Sequence, residues 1–226
     1  MGYYFFDSFE GGIAVERVGV LTSGGDAPGM NNAIRSVVRT AINEGLSVIG
    51  FRRGFEGLIH NESQEMPSKS VGNILESGGT VLRTYRSDHF RSEEGQSDAL
   101  ETIRDHELDG LVTIGGDGTM RGARALDMQW SGQVIGIPAT IDNDIAGTEY
   151  ALGFNTAVTT ALNAIDHIRD TATSHERTFI VELMGRNSGH IALTAGLAGG
   201  AEEILVPEVE FDTDTIAERI RKQRDK

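Results

Sequence analysis

Residues 136–144 read G-I-P-A-T-I-D-N-D, an apolar approach that ends abruptly in Asp142, Asn143 and Asp144, with Thr140 just before them. The chain has no cysteine, so thiolate chemistry and Cys-based zinc sites are excluded and catalysis must come from oxygen and nitrogen groups. Two further stretches carry paired glycines: T-S-G-G-D-A-P-G-M-N from Thr22 to Asn31 and G-G-D-G-T from Gly115 to Thr119. Each pair removes Cβ atoms where the backbone must turn tightly and come close to something. Each precedes a helical pattern whose free N–H groups favour an anion. Neither loop is G-x-x-x-x-G-K-[ST], and neither fits G-x-G-x-x-G with a following acidic residue. A single such loop reads equally well as a tight strand-to-helix turn. Two of them, each followed directly by an Asp, point to a polyphosphate.

Asp117 can hold Mg²⁺ across phosphate oxygens, because that ion takes one or two carboxylates and completes its shell with phosphate and water. Its plainer role is to cap the helix that begins near Thr119. Moving a phosphoryl group asks the protein mainly for positioning, charge neutralisation and a carboxylate to accept a hydroxyl proton. Asp142 or Asp144 can be that base, and Thr140 can hold a phosphate or the acceptor oxygen. A cationic group must meet the developing charge. The candidates are Arg86 and Arg91 in R-T-Y-R-S-D-H-F-R, Arg177 in S-H-E-R, and Arg186 in M-G-R. Taken singly, any of these reads as a turn cap or a solvated ion pair; together they read as a site.

The elements that must position these residues alternate between β-rich apolar runs and helical patterns. Strands are predicted at 18–22, 47–51, 110–114, 133–137, 178–184 and 203–206, each apolar enough to be buried on both faces. Met30, Ile34, Val37, Val38, Ala41 and Ile42 recur at helical spacing, with Gly45 where a C-terminal cap belongs. Ala99, Leu100 and Ile103 form a shorter stripe. Val158, Ala161, Leu162, Ile165 and Ile168 form a longer one. This β-α-β-α order predicts an α/β fold, a Rossmann-like parallel sheet with flanking helices. Ligands of such sheets bind beyond the carboxyl ends of the strands, where four unusual loops fall: 22–31, 115–119, 138–144 and 185–189.

At 226 residues and 38% hydrophobic content the chain can bury a sizeable core. Its net charge of −14 argues against nucleic acid as a partner. No run approaches a membrane span and the opening Y-Y-F-F has no basic leader, so a soluble cytoplasmic protein is expected. The only lysines are Lys69, Lys222 and Lys226, a balance that suits a salty cytoplasm or an arginine-biased acidic surface. Residues 1–16, with Gly11-Gly12, are expected to form a flexible leader.

The motifs G-V-L-T-S-G-G-D-A-P-G-M-N, I-G-G-D-G-T, T-I-D-N-D, G-F-N-T-A, D-T-A-T-S-H-E-R, V-E-L-M-G-R, A-G-L-A-G-G-A-E and V-P-E-V-E-F follow one another over about residues 17–212. In this order they resemble the ATP-dependent 6-phosphofructokinase family. The resemblance implies the family's fold, with a nucleotide-binding α/β domain at 17–152 and the first part of a sugar-phosphate domain at 153–226. It implies ATP as donor, Mg²⁺, fructose 6-phosphate as acceptor and a homotetramer. Asp142 falls on the family's base, with Thr140 and Asp144 completing that site. Gly25, Arg86, Asp117, Gly118 and Thr119 fall on nucleotide and Mg²⁺ positions, and Gly116 and Arg91 lie beside them. Met184, Gly185 and Arg186 match sugar-binding positions, and Arg177 one that reaches a neighbouring subunit's sugar phosphate.

Pyrophosphate-using relatives carry Asp where Gly118 stands and Lys where Ala139 stands, so the resemblance implies ATP, with pyrophosphate as the alternative. Phe55 stands where a tyrosine lines the family's nucleotide pocket. Arg35, Arg39, Arg169 and Glu202 match effector positions, whereas a basic effector position falls on Ser68. The family's chains continue well beyond Lys226 with further acceptor-site residues. The expectation is therefore a piece of a longer kinase, with a non-catalytic nucleotide-binding remnant as the other reading.

Overall fold

A computed structural model describes residues 15–224 except 176; apart from Val15 and Glu16, the expected leader lies outside the described residues. The sheet has six strands in the order β3-β2-β1-β4-β5-β6. Strand β1 (Arg17–Ser23) is flanked in parallel by β2 (Ser47–Phe51) and β4 (Gly110–Gly115), and β5 (Gln133–Thr140) follows β4 in parallel. Two short edge strands had no sequence signal: β3 (Ser63–Glu65), antiparallel to β2, and β6 (Leu152–Gly153), parallel to the end of β5.

The period-2 alternation along the inner strands feeds two cores. Val20, Val48 and Ile114 face the helix α1 (Met30–Asn43), which presents Met30, Ile34 and Val38. Leu21, Ile49, Phe51 and Leu111 face the other way, towards α2 (Gly54–Ile59), α3 (Glu93–Asp105) and α4 (Asp117–Asp127) through Leu58, Ile103 and Leu126. Helix α1 ends as expected, with Glu44 closing the last turn and Gly45 following at φ 81°, a left-handed conformation that costs a glycine little. Helix α3 is capped by Ser92, whose Oγ accepts the Gly95 N–H at 3.0 Å.

Beyond β5, α5 (Phe154–His175) packs on α6 (His190–Ala198) around Phe154, Ala161, Ile191 and Ala195, and α7 (Thr213–Arg224) follows. Here two sequence expectations fail. Residues 178–184 and 203–206 are irregular rather than strands. A strand is held by lateral pairing, and among the described residues no strand lies beside either segment. Accordingly Phe179, Ile180 and Val181 are exposed, Ile180 at 94%. Strand β5 also departs from burial on both faces: Ile135 is exposed, because β6 covers only the Ala139–Thr140 end.

Candidate active site

The chain leaves β1 towards β2 and returns to the other side of β1 as β4, so β1 and β4 form the point at which the sheet reverses its direction of growth. In open α/β sheets ligands bind outside the carboxyl ends of the strands at such a point. The pairings Ser23↔Gly115 and Gly115↔Pro138 set the first glycine loop, the second glycine loop and the 138–144 loop side by side. Thr119 Oγ1 donates to the Ser23 carbonyl at 3.0 Å and ties the two glycine loops together. A Cβ on Gly116 would lie 3.8 Å from Thr140 Cβ, so the second loop borders the third.

The first loop is braced from residues 80–85. Thr84 Oγ1 donates to the Gly24 carbonyl at 2.7 Å, and Thr22 Oγ1 donates to the Arg83 carbonyl at 2.9 Å. Tyr85 is exposed beside this loop with the Arg53 guanidinium 4.9 Å from its ring centroid. Phe55 does not line an open pocket. It is buried and stacked on Phe90 with ring centroids 4.0 Å apart, because a phenyl ring without a hydroxyl has no need of water.

Gly25 and Gly118 are the glycines of the two loops with open space beside the backbone. A Cβ built on either meets nothing within 4 Å, so the fold itself does not demand glycine there. Asp117 is the first residue of α4 rather than its cap, a position held by Gly116. Its carboxylate is half exposed and pairs with Arg121 at 2.8 Å. Among the described residues no cluster of three or more His, Cys, Asp or Glu could hold a metal. One accessible carboxylate beside the open Cβ position of Gly118 fits Mg²⁺ that arrives with phosphate and water.

At the end of β5 the backbone bends sharply. Asn143 takes φ 52°, and its side chain closes the loop by donating to the Glu149 carbonyl at 3.1 Å and accepting the Ala151 N–H at 2.8 Å. Thr140 Oγ1 accepts the Asp142 N–H at 3.2 Å. Half-burial, and then the Asp144 carboxylate, push the Asp142 carboxyl above the ordinary aspartate range, while Arg186 pulls it back. Arg186 is exposed and acts on Asp142 through its charge, with no ion pair between them among the described residues. Arg186 has φ 53° and follows Gly185 at φ 146°, a turn that re-aims the chain after the exposed 178–184 segment. The 185–189 loop is therefore joined to the site without a strand before it. Its link is Ser188, whose Oγ donates to the Asp142 carbonyl at 2.6 Å.

Residues 17–226 match the family model described as Phosphofructokinase. The chain belongs to the phosphofructokinase family. It is 55% identical over 206 residues to the ATP-dependent 6-phosphofructokinase of Thermoanaerobacter sp. (strain X514), covering 91% of this chain and 64% of that relative. It is 53% identical over 208 residues to the enzyme of the same name from Halothermothrix orenii, covering 92% and 63%. The solved phosphofructokinase from Saccharomyces cerevisiae superposes with a TM-score of 0.87 at 35% identity, over 93% of this chain and 32% of that one. The chain thus spans about 64% of the length of the curated phosphofructokinases it resembles.

The remaining expected residues of the phosphofructokinase reading are dispersed. Arg86 and Arg91 are exposed, Arg91 with Asp88 at 3.5 Å. Met184 is exposed, and so is Arg177, just after α5. Arg35 and Arg39 share one face of α1, but Arg35 donates to the Val71 carbonyl at 2.6 Å. Arg169 donates to the Gly199 carbonyl, and Glu202 is exposed nearby in sequence. Among the described residues no hydrogen bond or ion pair joins Arg35 or Arg39 to Arg169 or Glu202. Sequence reasoning missed Asn143, Ser188, His190 and Glu208. Asn143 could have been found from the preference of asparagine for left-handed turns; the others carried no signal.

Proposed function

We propose that this chain carries the nucleotide half and part of the acceptor half of an ATP-dependent 6-phosphofructokinase. The reaction transfers the γ-phosphoryl group of ATP to the 1-hydroxyl of D-fructose 6-phosphate, giving fructose 1,6-bisphosphate and ADP. The observation that carries this reading is the juxtaposition of a partly buried, upshifted Asp142 with two glycine loops joined through Thr119 and Ser23.

In this reading Asp142 takes the proton of the 1-hydroxyl as its oxygen attacks the γ-phosphorus and the bond to the bridging oxygen of ADP breaks. A carboxylate with a raised pKa is a stronger base than an ordinary aspartate. Arg186 meets the charge that develops on the transferring group, and Thr140 and Asp144 orient the acceptor. Gly25, Gly116, Gly118 and Thr119 cradle the phosphates, with Arg86 and Arg91 as their cationic neighbours. Asp117 would hold Mg²⁺, which when bound neutralises phosphate charge. Met184, Gly185 and Arg177 complete the sugar-phosphate contacts, Arg177 towards a neighbouring subunit of a homotetramer. The bare Gly118, whose Cβ position opens on empty space, supports ATP over pyrophosphate, whereas Ala139 is buried in the core and takes no part in that choice.

The domains at 17–152 and 153–226, a cytoplasmic setting within glycolysis, and effector control through Arg35, Arg39, Arg169 and Glu202 belong to the same proposal. Among the described residues no helix is long and apolar enough to cross a membrane. The test is ADP release by the 226-residue chain with MgATP, with and without fructose 6-phosphate, beside Asp142→Asn and a pyrophosphate control. Sugar-dependent release that vanishes in the variant is expected. Saturable MgATP binding without release would reduce the chain to a nucleotide half-site, and faster turnover with pyrophosphate would overturn the donor.

A further inference from the structure

Asp142 has both of its backbone polar groups held by side-chain hydroxyls. Thr140 Oγ1 accepts its N–H from within the same loop, and Ser188 Oγ donates to its carbonyl at 2.6 Å from 46 residues away. The Ser188 hydroxyl has one proton, and a contact of that length to a carbonyl requires it. His190 Nδ1 lies 2.9 Å from the same Oγ. Since the hydroxyl proton is committed to Asp142, Nδ1 must carry a proton and donate to the serine oxygen. Neutral imidazole ordinarily protonates Nε2, so the neighbours of His190 impose the less common form.

Those neighbours are fixed in turn. Ser188 is 9% exposed. Glu208 accepts the Gly189 N–H at 2.8 Å. The Phe154 ring meets the His190 ring edge-on at 6.3 Å. The 185–190 segment cannot draw order from strand pairing, so these contacts must supply it.

We propose that Ser188 and His190 are positioning residues, a relay from His190 Nδ1–H through the Ser188 hydroxyl to the Asp142 carbonyl that aims the Asp142 carboxylate at the acceptor. The inference rests on the kinase reading above for its effect on rate, but the hydrogen-bond relay stands apart from it. A base displaced by a fraction of an ångström loses rate while ground-state binding persists, so the relay acts on kcat rather than KM.

Two measurements on the 226-residue chain test it. Imidazole ¹⁵N spectra should report His190 protonated at Nδ1 in the parent and reverting to Nε2–H in Ser188→Ala. The Asp142 and Asn143 backbone signals should be sharp in the parent and broadened or shifted in the variant. An unprotonated Nδ1 in the parent, or Asp142 and Asn143 signals indifferent to Ser188→Ala, overturns the relay whether or not the chain turns over. In the turnover assay Ser188→Ala should lower kcat about tenfold with both KM values within about twofold, in keeping with the loss of one oriented group. Ser188→Thr should restore most of it, and His190→Asn should exceed His190→Ala because its amide N–H can replace Nδ1–H. Losses that follow the melting temperature alone, without rescue, would reduce both residues to packing. A parent that fails to turn over while the spectra hold would count against the kinase reading and not against the relay.

Discussion

Burial, then Asp144, set the Asp142 carboxyl above its usual range, and Arg186 opposes them, so each neighbour has a signed effect that can be read separately. With Asp142 as the base, the acid limb of kcat/KM should fall at a higher pH than for an ordinary aspartate. Asp144→Asn should move that limb to lower pH and Arg186→Met to higher pH, and a limb unmoved by either would assign it to another group. Asp142→Asn should cost about 10²- to 10⁴-fold in kcat, the range of a lost general base. The same residue makes a stability prediction of opposite sense. Its pKa is higher folded than unfolded, so between the two values the unfolded chain binds fewer protons and stability falls as pH rises. Asp142→Asn should therefore melt higher than the parent at pH ~7 and lose that advantage below the ordinary aspartate pKa of about 3.9, as calorimetry at the two pH values would show.

At the scale of elements, the glycines of the two loops divide by what surrounds them. A side chain at Gly115 would strike the Ser23 carbonyl and Thr119, so the fold demands glycine there, as it does at Gly57 in α2, where one would run into the Arg52 carbonyl. Gly25 and Gly118 are not so demanded, since their Cβ positions open on empty space. Gly25→Ala should leave the melting temperature within about a degree, in line with the small cost of exposed substitutions. It should nevertheless weaken MgATP binding in a titration, and unchanged affinity would remove Gly25 from the phosphate cradle. Helix α3 offers a control remote from chemistry. Ser92→Ala removes the acceptor of the Gly95 N–H and should cost about 1 kcal/mol in urea unfolding, with nucleotide affinity unchanged.

For the whole molecule, net charge and uncovered apolar surface pull in different directions. A charge of −14 with three lysines repels itself within the compact state, and salt screens that repulsion over about 10 Å at 0.1 M. The melting temperature should rise between low and molar KCl, and a flat profile would discard salt dependence. Ile180, Met184, Leu197, Val209 and Phe211 meanwhile stand exposed on the part of the chain beyond β5, Ile180 almost fully. Salt should therefore also promote association through that surface. Ile180→Lys should lessen it in sedimentation experiments without altering MgATP binding, because the residue lies outside the glycine loops.

The inner strands, the long helices and the three carboxyl-end loops were legible because their signals are local. Apolar β-rich runs at 18–22 and 47–51, helical spacing from Met30 to Ile42 and paired glycines each depend on a few neighbouring residues. The sequence by itself therefore determined an α/β chain with Thr140, Asp142, Asp144, Asp117 and the glycine pairs at one sheet edge. What it could not determine was pairing and orientation at a distance. T-F-I-V-E-L-M has every local property of a strand, yet among the described residues it has no neighbour to bond with, and hydrogen bonds between strands cannot be inferred from one of them. Phe55 turned inward to stack on Phe90, a choice made by the space between α2 and the turn at 89–91. Likewise, only the folded chain could bring Ser188 and His190 to the carbonyl of Asp142, because a hydrogen bond across 46 residues is fixed by the path of the backbone and not by any local pattern.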